Sequence, residues 1–212
     1  KQSIEDSDLG PVVAQWLSQN NVQNKVNESY FYTLINPGKD VSFFYDFDLD
    51  GKKEHVQLSA ADLALPDPKR RYLAWEFTLE GRPTDELTVF ASYVWSHSWG
   101  MTEGLVRTDN GQADPGWTTS YDYADLMDHG AGNLPNDRRH TLKIYGGYDV
   151  TDEIVISANL NIASGRPVNC NGYVPLDGLG VDSSGLINYG PSAFYCTDAQ
   201  GVSKPTTRGQ EG

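Results

Sequence analysis

Tyr72-Leu-Ala-Trp-Glu-Phe-Thr-Leu-Glu80 decides the fold. Its large apolar side chains, Leu73, Trp75, Phe77 and Leu79, stand at every second position, with Ala74, Glu76 and Thr78 between them. A period of two puts all four on one face of an extended strand, whereas a helix would scatter them around its axis. Three further runs repeat the pattern. Leu87, Val89, Ala91, Tyr93 and Trp95 share a face in the second, and Leu142, Ile144, Gly146, Tyr148 and Val150 in the third. In the fourth, Ile154, Ile156, Ala158, Leu160 and Ile162 oppose Val155, Ser157, Asn159 and Asn161. Strands are therefore predicted at 72–80, 87–95, 141–150 and 154–162. Each is about nine residues long. That suits a tilted strand crossing a bilayer, roughly 9–11 residues, and exceeds the usual globular strand of about 5–6.

The connections alternate in length. Gly81 to Glu86, with Pro83, Thr84 and Asp85, is a short turn, and Thr151-Asp152-Glu153 is shorter still. Between them runs a long excursion, Ser96 to His140, and another follows from Ala163 to Gly212. Tight turns on one side and large loops on the other are the habit of outer-membrane barrels. The predicted fold class is all-β: an antiparallel meander of long transmembrane strands, forming part of an outer-membrane β-barrel with long extracellular loops. In such a wall the apolar set meets lipid and the polar set lines the lumen. Glu76, Glu80, Arg139, Lys143, Asn159 and Asn161 are the ligand-facing candidates, with Arg139 and Lys143 near Glu76 and Glu80 if the strands pair suitably. Asp137, Arg138 and Arg139 are expected to form ion pairs at the rim. Trp95 and Trp99 at one end and Tyr148 at the other suit the two membrane–water interfaces, although ordinary core aromatics are the alternative.

Residues 1–71 read as an extracellular loop region with a small hairpin. Leu9 to Leu17 suits a short helix with Asp8 as N-cap and Pro11 in its first turn. Tyr30 to Ile35 and Val41 to Leu49 suit strands around an Asn36-Pro37-Gly38 turn. The start at Lys1-Gln2-Ser3 and the polar end from Thr206 to Gly212 are those expected of a truncated piece.

Composition narrows the function. With 29 acidic and 16 basic residues the formal net charge is −13, so nucleic acid would repel the chain. The same balance argues against a basic patch that attracts anionic lipid. Mean hydropathy is −0.51, a value that alternating barrel strands share with soluble chains because their polar and apolar positions average out.

Few residues offer chemistry. Asp46, Asp48, Asp50 and Gly51 match the start of a calcium loop, with Glu54 at its ninth position, but Gln57 stands where the bidentate Glu belongs. Calcium there, or a solvated acidic hairpin with the aspartates on its polar face, are both open. Asp122, Asp125, Asp128 and His129 form a second acidic group, read as a solvated loop before a metal site. Cys170 and Cys196, 26 positions apart in a Gly- and Asn-rich stretch, suit a loop disulfide in an oxidising compartment, with two free thiols as the alternative. His55, His97, His129 and His140 join no recognisable nucleophile motif and no phosphate-cradling glycine loop follows a strand, so an enzyme is not expected. Asn27-Glu28-Ser29 is a formal glycosylation sequon, read as chance.

Tyr72 to Glu80, followed by Tyr93-Val-Trp-Ser-His-Ser-Trp-Gly100, resembles consecutive barrel strands of TonB-dependent receptors. Leu134-Pro-Asn-Asp-Arg-Arg-His140 and Ser164-Gly-Arg-Pro167 are similar to the approaches to a strand and a loop in the C-terminal part of the Oar-like group, whose members carry a carboxypeptidase-regulatory-like domain. The resemblance extends from Tyr30 to Val202. It implies a 22-stranded barrel plugged by an N-terminal domain, bacterial outer-membrane localisation, and energy-coupled uptake of a large scarce ligand. It also implies outer-membrane lipid and a TonB complex as partners, the latter through an N-terminal region that this chain lacks. The alternative is a secreted β-sandwich binding carbohydrate, with calcium at Asp46 to Asp50, and a weaker one is an adhesin barrel that transports nothing. The apolar face discriminates: a sandwich must cover Trp75, Leu87, Ile144 and Leu160 with a second sheet, and a barrel wall leaves them bare.

Overall fold

A computed structural model describes residues 5–26, 31–104, 106–109, 111, 119–175 and 191–210. Its main feature is one antiparallel sheet. Strands β5 (Arg70–Gly81), β6 (Leu87–Gly100), β8 (His140–Thr151) and β9 (Ile154–Ala163) lie in the order β5-β6-β8-β9, and the two-residue β7 (Gly132–Asn133) extends the end of β6. All four predicted strands are present. β5, β6 and β8 run longer than predicted, because they continue past the apolar pattern into the loops. Ser96 to Gly100, expected in a loop, is strand held by Arg70–Ala74 and by β7.

The register aligns the apolar positions. Trp75 faces Trp95 and His140; Phe77 faces Tyr93, Leu142 and Ile162; Leu79 faces Ala91, Ile144 and Leu160; Leu87 faces Tyr148 and Ile156. Directly opposed residues share a face, so these rows form one continuous belt. From the Leu73–His97 row to the Leu87 row the belt runs about 34 Å along the strand at ~3.4 Å per residue. Tilted by about 40°, it would cover a height near the ~25 Å apolar band of an outer-membrane barrel. The belt is bare. Trp75 is 63% exposed and Leu160 49%, and Leu87 and Ile144, flanked within the sheet, are half-buried. No second sheet covers this face among the described residues, which removes the support for the sandwich.

The buried core lies elsewhere. Strands β1 (Glu5–Asp8) and β2 (Tyr32–Ile35) pair with each other, as do β3 (Val41–Tyr45) and β4 (Glu54–Leu58); none of them pairs with the main sheet. Helices α1 (Gly10–Gln19) and α2 (Ala60–Leu63) pack beside them. Leu9, Val13 and Leu17, four apart on one helical face, bury against a cluster that includes Phe47, Val56, Leu58, Leu63, Tyr121 and Met127. Two short 3-10 turns (Thr119–Tyr121 and Ala124–Met127) and a hairpin of β10 (Tyr195–Thr197) and β11 (Ser203–Pro205) complete this cap. The segments beyond the open ends of the strands thus bury two apolar clusters, the second formed by Tyr123, Leu126, Ala193 and Tyr195.

Three local expectations need correction. The helix begins at Gly10 with Leu9 as its cap residue, while the Asp8 carboxylate accepts from Gly10 N (2.9 Å). The Asn36-Pro37-Gly38 turn exists, with Gly38 at φ +74°, but it does not close a hairpin: the strands on either side pair with β1 and β4. The strand expected to reach Leu49 stops at Tyr45. The aspartate-rich turn bends the chain there, and Leu49 takes φ +60° and stands 64% exposed.

Candidate functional site

The second face of the sheet carries the polar set. Glu76 lies in the row of Val94 and Thr141; Thr78, Ser92, Lys143 and Asn161 form the next row; Glu80, Phe90, Tyr145 and Asn159 form the one below. Glu76, Glu80, Lys143, Asn159 and Asn161 are therefore brought together, all exposed, with Lys143 in the row between the two glutamates. Ser92 Oγ donates to Glu76 Oε1 (3.4 Å), and Asn161 Nδ2 donates to Asn159 Oδ1 (2.9 Å). Arg139 is not part of this group. Its Nη2 donates to Asp137 Oδ2 (2.7 Å), and the buried Asp137 also accepts from Ser98 N (2.7 Å), the bond that fastens this loop to β6. Arg138 pairs with no carboxylate among the described residues and donates instead to the Ser164 carbonyl (2.8 Å).

This face also carries an aromatic pair. Phe90 and Tyr145 stack with ring centroids 4.6 Å apart, on the polar side. With Thr88, Gly147, Ser157 and Asn159 they line a cavity of about 480 Å³. The available signal was two aromatics at positions of polar parity in neighbouring strands. The arrangement offers a flat apolar platform beside amide and hydroxyl groups, which suits contact with a polar ligand or another protein surface.

The cap is held by chemistry of its own. Cys170 and Cys196 form a disulfide. Beside it, Arg107 and Arg208 lie over the Phe194 ring at 4.7 Å and 5.1 Å. Asp109 pairs with Arg107 Nε (2.6 Å) and Arg208 Nη2 (2.9 Å), and Glu103 pairs with Arg208 Nη2 (2.8 Å). Burial pushes the Arg107 guanidinium below its ordinary value, against the opposing pull of Asp109. This ties the loop after β6 to the chain that follows the disulfide. At the other side of the cap, Tyr123 OH and Phe31 N both donate to Asp8 (2.7 and 2.8 Å). Burial first, then the Asp8 hydrogen bond, raises the Tyr123 phenol well above its usual range.

Ligand oxygens of Asp46, Asp48, Asp50 and Glu54 lie within 4.8 Å of one another, a spacing that one hard cation with oxygens at 2.3–2.6 Å can span. These residues sit in a turn and at the start of β4, not on a strand's polar face. Their oxygens already accept from backbone amides: Asp46 from Gly51 N (2.9 Å), Asp50 from Lys52 N (2.7 Å) and Glu54 from Phe47 N (2.9 Å). Asp122, Asp125, Asp128 and His129 do not converge in the same way. Asp128 accepts from Tyr195 OH (2.6 Å), and the Asp125 carboxyl is held above its ordinary range, mainly by burial. The histidines have structural partners. His140 contacts Tyr93 OH (2.7 Å), His97 contacts Asn133 Oδ1 (3.0 Å), and His129 lies edge-on to Tyr195. His55 contacts Ser42 Oγ (2.9 Å), a serine–histidine pair on an open hairpin surface with no carboxylate on the second ring nitrogen among the described residues. The sequon at 27–29 and the chain ends at 1–4 and 211–212 lie outside the described residues.

Comparison with known proteins finds a partial likeness to a transporter. The chain is 32% identical over 108 residues to the TonB-dependent transporter Oar of Myxococcus xanthus. That alignment takes in 49% of this chain and only 10% of the relative, so the chain spans about a tenth of the transporter's length. No protein-family profile matches, and no solved structure does. The chain thus resembles a segment of an Oar-like TonB-dependent receptor.

Proposed function

Proceeding from that likeness, we propose that this chain is a stretch of barrel wall and extracellular cap from an outer-membrane receptor for energy-coupled uptake of a large scarce ligand. The observation that carries the reading is the belt from Leu73 to Ile156: it is continuous, apolar and bare, on one face of a single sheet. Soluble monomers rarely leave so large an apolar patch uncovered. Lipid accounts for it, and the asymmetry of loops and turns supports the same placement. Free sheet edges at β5 and β9 would pair with further strands of a closed wall. In the complete barrel, Glu76, Glu80, Lys143, Asn159, Asn161 and the Phe90–Tyr145 stack would face the lumen, where they meet plug or passing ligand. The Arg107–Arg208 network and the Cys170–Cys196 bridge would keep the cap in shape outside the cell. A TonB complex would engage other parts of the whole receptor. The reading asks for no catalysis and no cofactor.

Topology tests it. In the whole receptor, with the native cysteines bridged, Lys53→Cys in the cap should react with a membrane-impermeant maleimide on intact cells. Asp152→Cys in the β8–β9 turn should react only after the outer membrane is opened. Equal labelling of both on intact cells, or recovery of the receptor in the soluble fraction, would overturn the reading.

A further inference from the structure

An apolar groove crosses the cap between α1, α2 and the 3-10 turn Ala124–Met127. It consists of two cavities, of about 300 Å³ and about 400 Å³, that share Ala64, Ala124 and Asp125 in their walls. Leu9, Val12 and Leu65 give the first an apolar floor, and Met101 and Met127 do the same for the second. Charge of one sign surrounds that floor. Asp8, Asp62 and Asp122 stand on the first cavity, Asp128 on the second, and Asp125 on both. Among the described residues no lysine or arginine lines either one.

Elsewhere the cap gives its enclosed carboxylates a cation. Asp137 has Arg139, Asp109 has Arg107 and Arg208, and Glu103 has Arg208. The groove departs from that habit. Asp8 accepts from Gly10 N, Phe31 N and Tyr123 OH, and Asp62 from Ser59 N and Oγ. Asp128 accepts from Tyr195 OH, with His129 Nε2 at 3.4 Å. Neutral donors fix a carboxylate in place and leave its charge uncancelled. Asp125, half-buried in the wall common to both cavities, lacks even these. Among the described residues no lysine, arginine or histidine nitrogen lies within 4.0 Å of its oxygens, and no other residue donates to them. Burial, then the charge of Asp128, holds its carboxyl above the ordinary range. A partly desolvated anion over an apolar floor is costly until a cation meets it.

We propose that this groove binds a linear aliphatic polyamine, with one ammonium on Asp125 and the methylene segments on the apolar floor. Charge complementarity selects the occupant. An ammonium donates to carboxylates in charge-assisted hydrogen bonds. The methylenes between ammonium groups cover apolar surface, which a hydrated metal ion does not. Each cavity carries more than one carboxylate, so several ammonium groups on one chain match it better than a single amine does. The groove lies wholly in the cap, and its occupancy does not depend on where the sheet stands.

The test titrates spermidine into the whole protein in detergent at low salt and reads the heat of binding and thermal unfolding. Spermidine should bind at a single site and raise the unfolding temperature. D125N should weaken that binding about tenfold. The variant keeps the size of the side chain and removes an uncompensated charge, so the cap stays folded and the loss reports on binding. D152N removes a carboxylate from the β8–β9 turn and should bind as wild type does. Magnesium at equal charge should compete weakly. If D125N binds spermidine as tightly as wild type, if D152N loses it equally, if magnesium displaces it charge for charge, or if a lysine-rich peptide binds and spermidine does not, the proposal is overturned while the outer-membrane reading stands.

Discussion

Asp8 shows how single side chains build the cap. One carboxylate accepts from Gly10 N, Phe31 N and Tyr123 OH, so it joins α1, the chain before β2 and the loop after β6. Asp8→Ala would leave buried donors without that acceptor, at about 1–3 kcal/mol for each unsatisfied group. Asp8→Asn, which keeps one carbonyl oxygen, should cost less; equal losses in thermal unfolding of the two variants would contradict the role given to the acceptor. Asp125 gives a pH signature. Its folded-state carboxyl titrates above the unfolded value of 3.8, through burial and then the charge of Asp128. A raised carboxyl favours the protonated folded state, so its stabilising contribution is full below 3.8 and is lost as pH rises through the folded value. Asp125→Asn should therefore stabilise the cap at neutral pH and lose that advantage in acid, as hydrogen exchange of the cap amides at two pH values would show. Asp62 titrates in the opposite sense: the Ser59 hydroxyl holds its carboxyl low, so the capping box of α2 weakens only in acid.

Among the elements, β8 and β9 carry the sharpest test of register. Leu160 sits in the middle row of the belt beside Ile144, and its chain neighbour Asn159 faces the other way beside Tyr145. Leu160→Arg should lower insertion of the whole receptor by about 2–4 kcal/mol if that row lies near the bilayer midplane, and Asn159→Arg should be milder. Equal membrane yields would refute the assignment of faces. The disulfide belongs to the same scale. Closing a separation of 26 residues restricts the unfolded chain by about 3.5 kcal/mol on the chain-entropy estimate. Cys170→Ser with Cys196→Ser should therefore loosen the β10–β11 hairpin against protease while the strands of the main sheet stay protected. Cleavage of sheet and cap at equal rates would show that the two do not unfold separately.

For the whole molecule, sheet and cap obey different solvents. The cap buries Leu9, Val56, Tyr121 and Leu134 as a soluble domain does, while the sheet turns Trp75, Phe77 and Ile156 outward. One chain satisfies both rules if its sheet stands in lipid and its cap in water. Uptake is tested without knowing the ligand. If the proposed uptake is right, a solute that disappears from the medium of wild-type cells, and persists in strains lacking either the whole protein or TonB, should exist and identifies the cargo. If the medium changes identically in all three strains, transport is not the activity of this receptor.

The main sheet was legible in the sequence because a strand's period of two is a local property. Leu73, Trp75, Phe77 and Leu79 need only the next residue to declare their face, and the short turns at 81–86 and 151–153 need only their own length. The family likeness and the cysteine pair could be read in the same local way. The cap could not. Whether Tyr32 to Ile35 pairs across the Asn36-Pro37-Gly38 turn or back to Glu5 to Asp8 depends on which distant apolar surfaces close best, and Leu9, Val56, Tyr121 and Met127 meet only in three dimensions. Arg139, grouped by parity with Lys143, turns to Asp137 because a buried carboxylate two residues away binds more strongly than the solvated glutamates of the sheet. Composition set the net charge, but only the antiparallel register set Arg71, Arg138 and Arg166 near one another at one end of the sheet. A sequence sums its charges along the chain; the folded sheet places them in space.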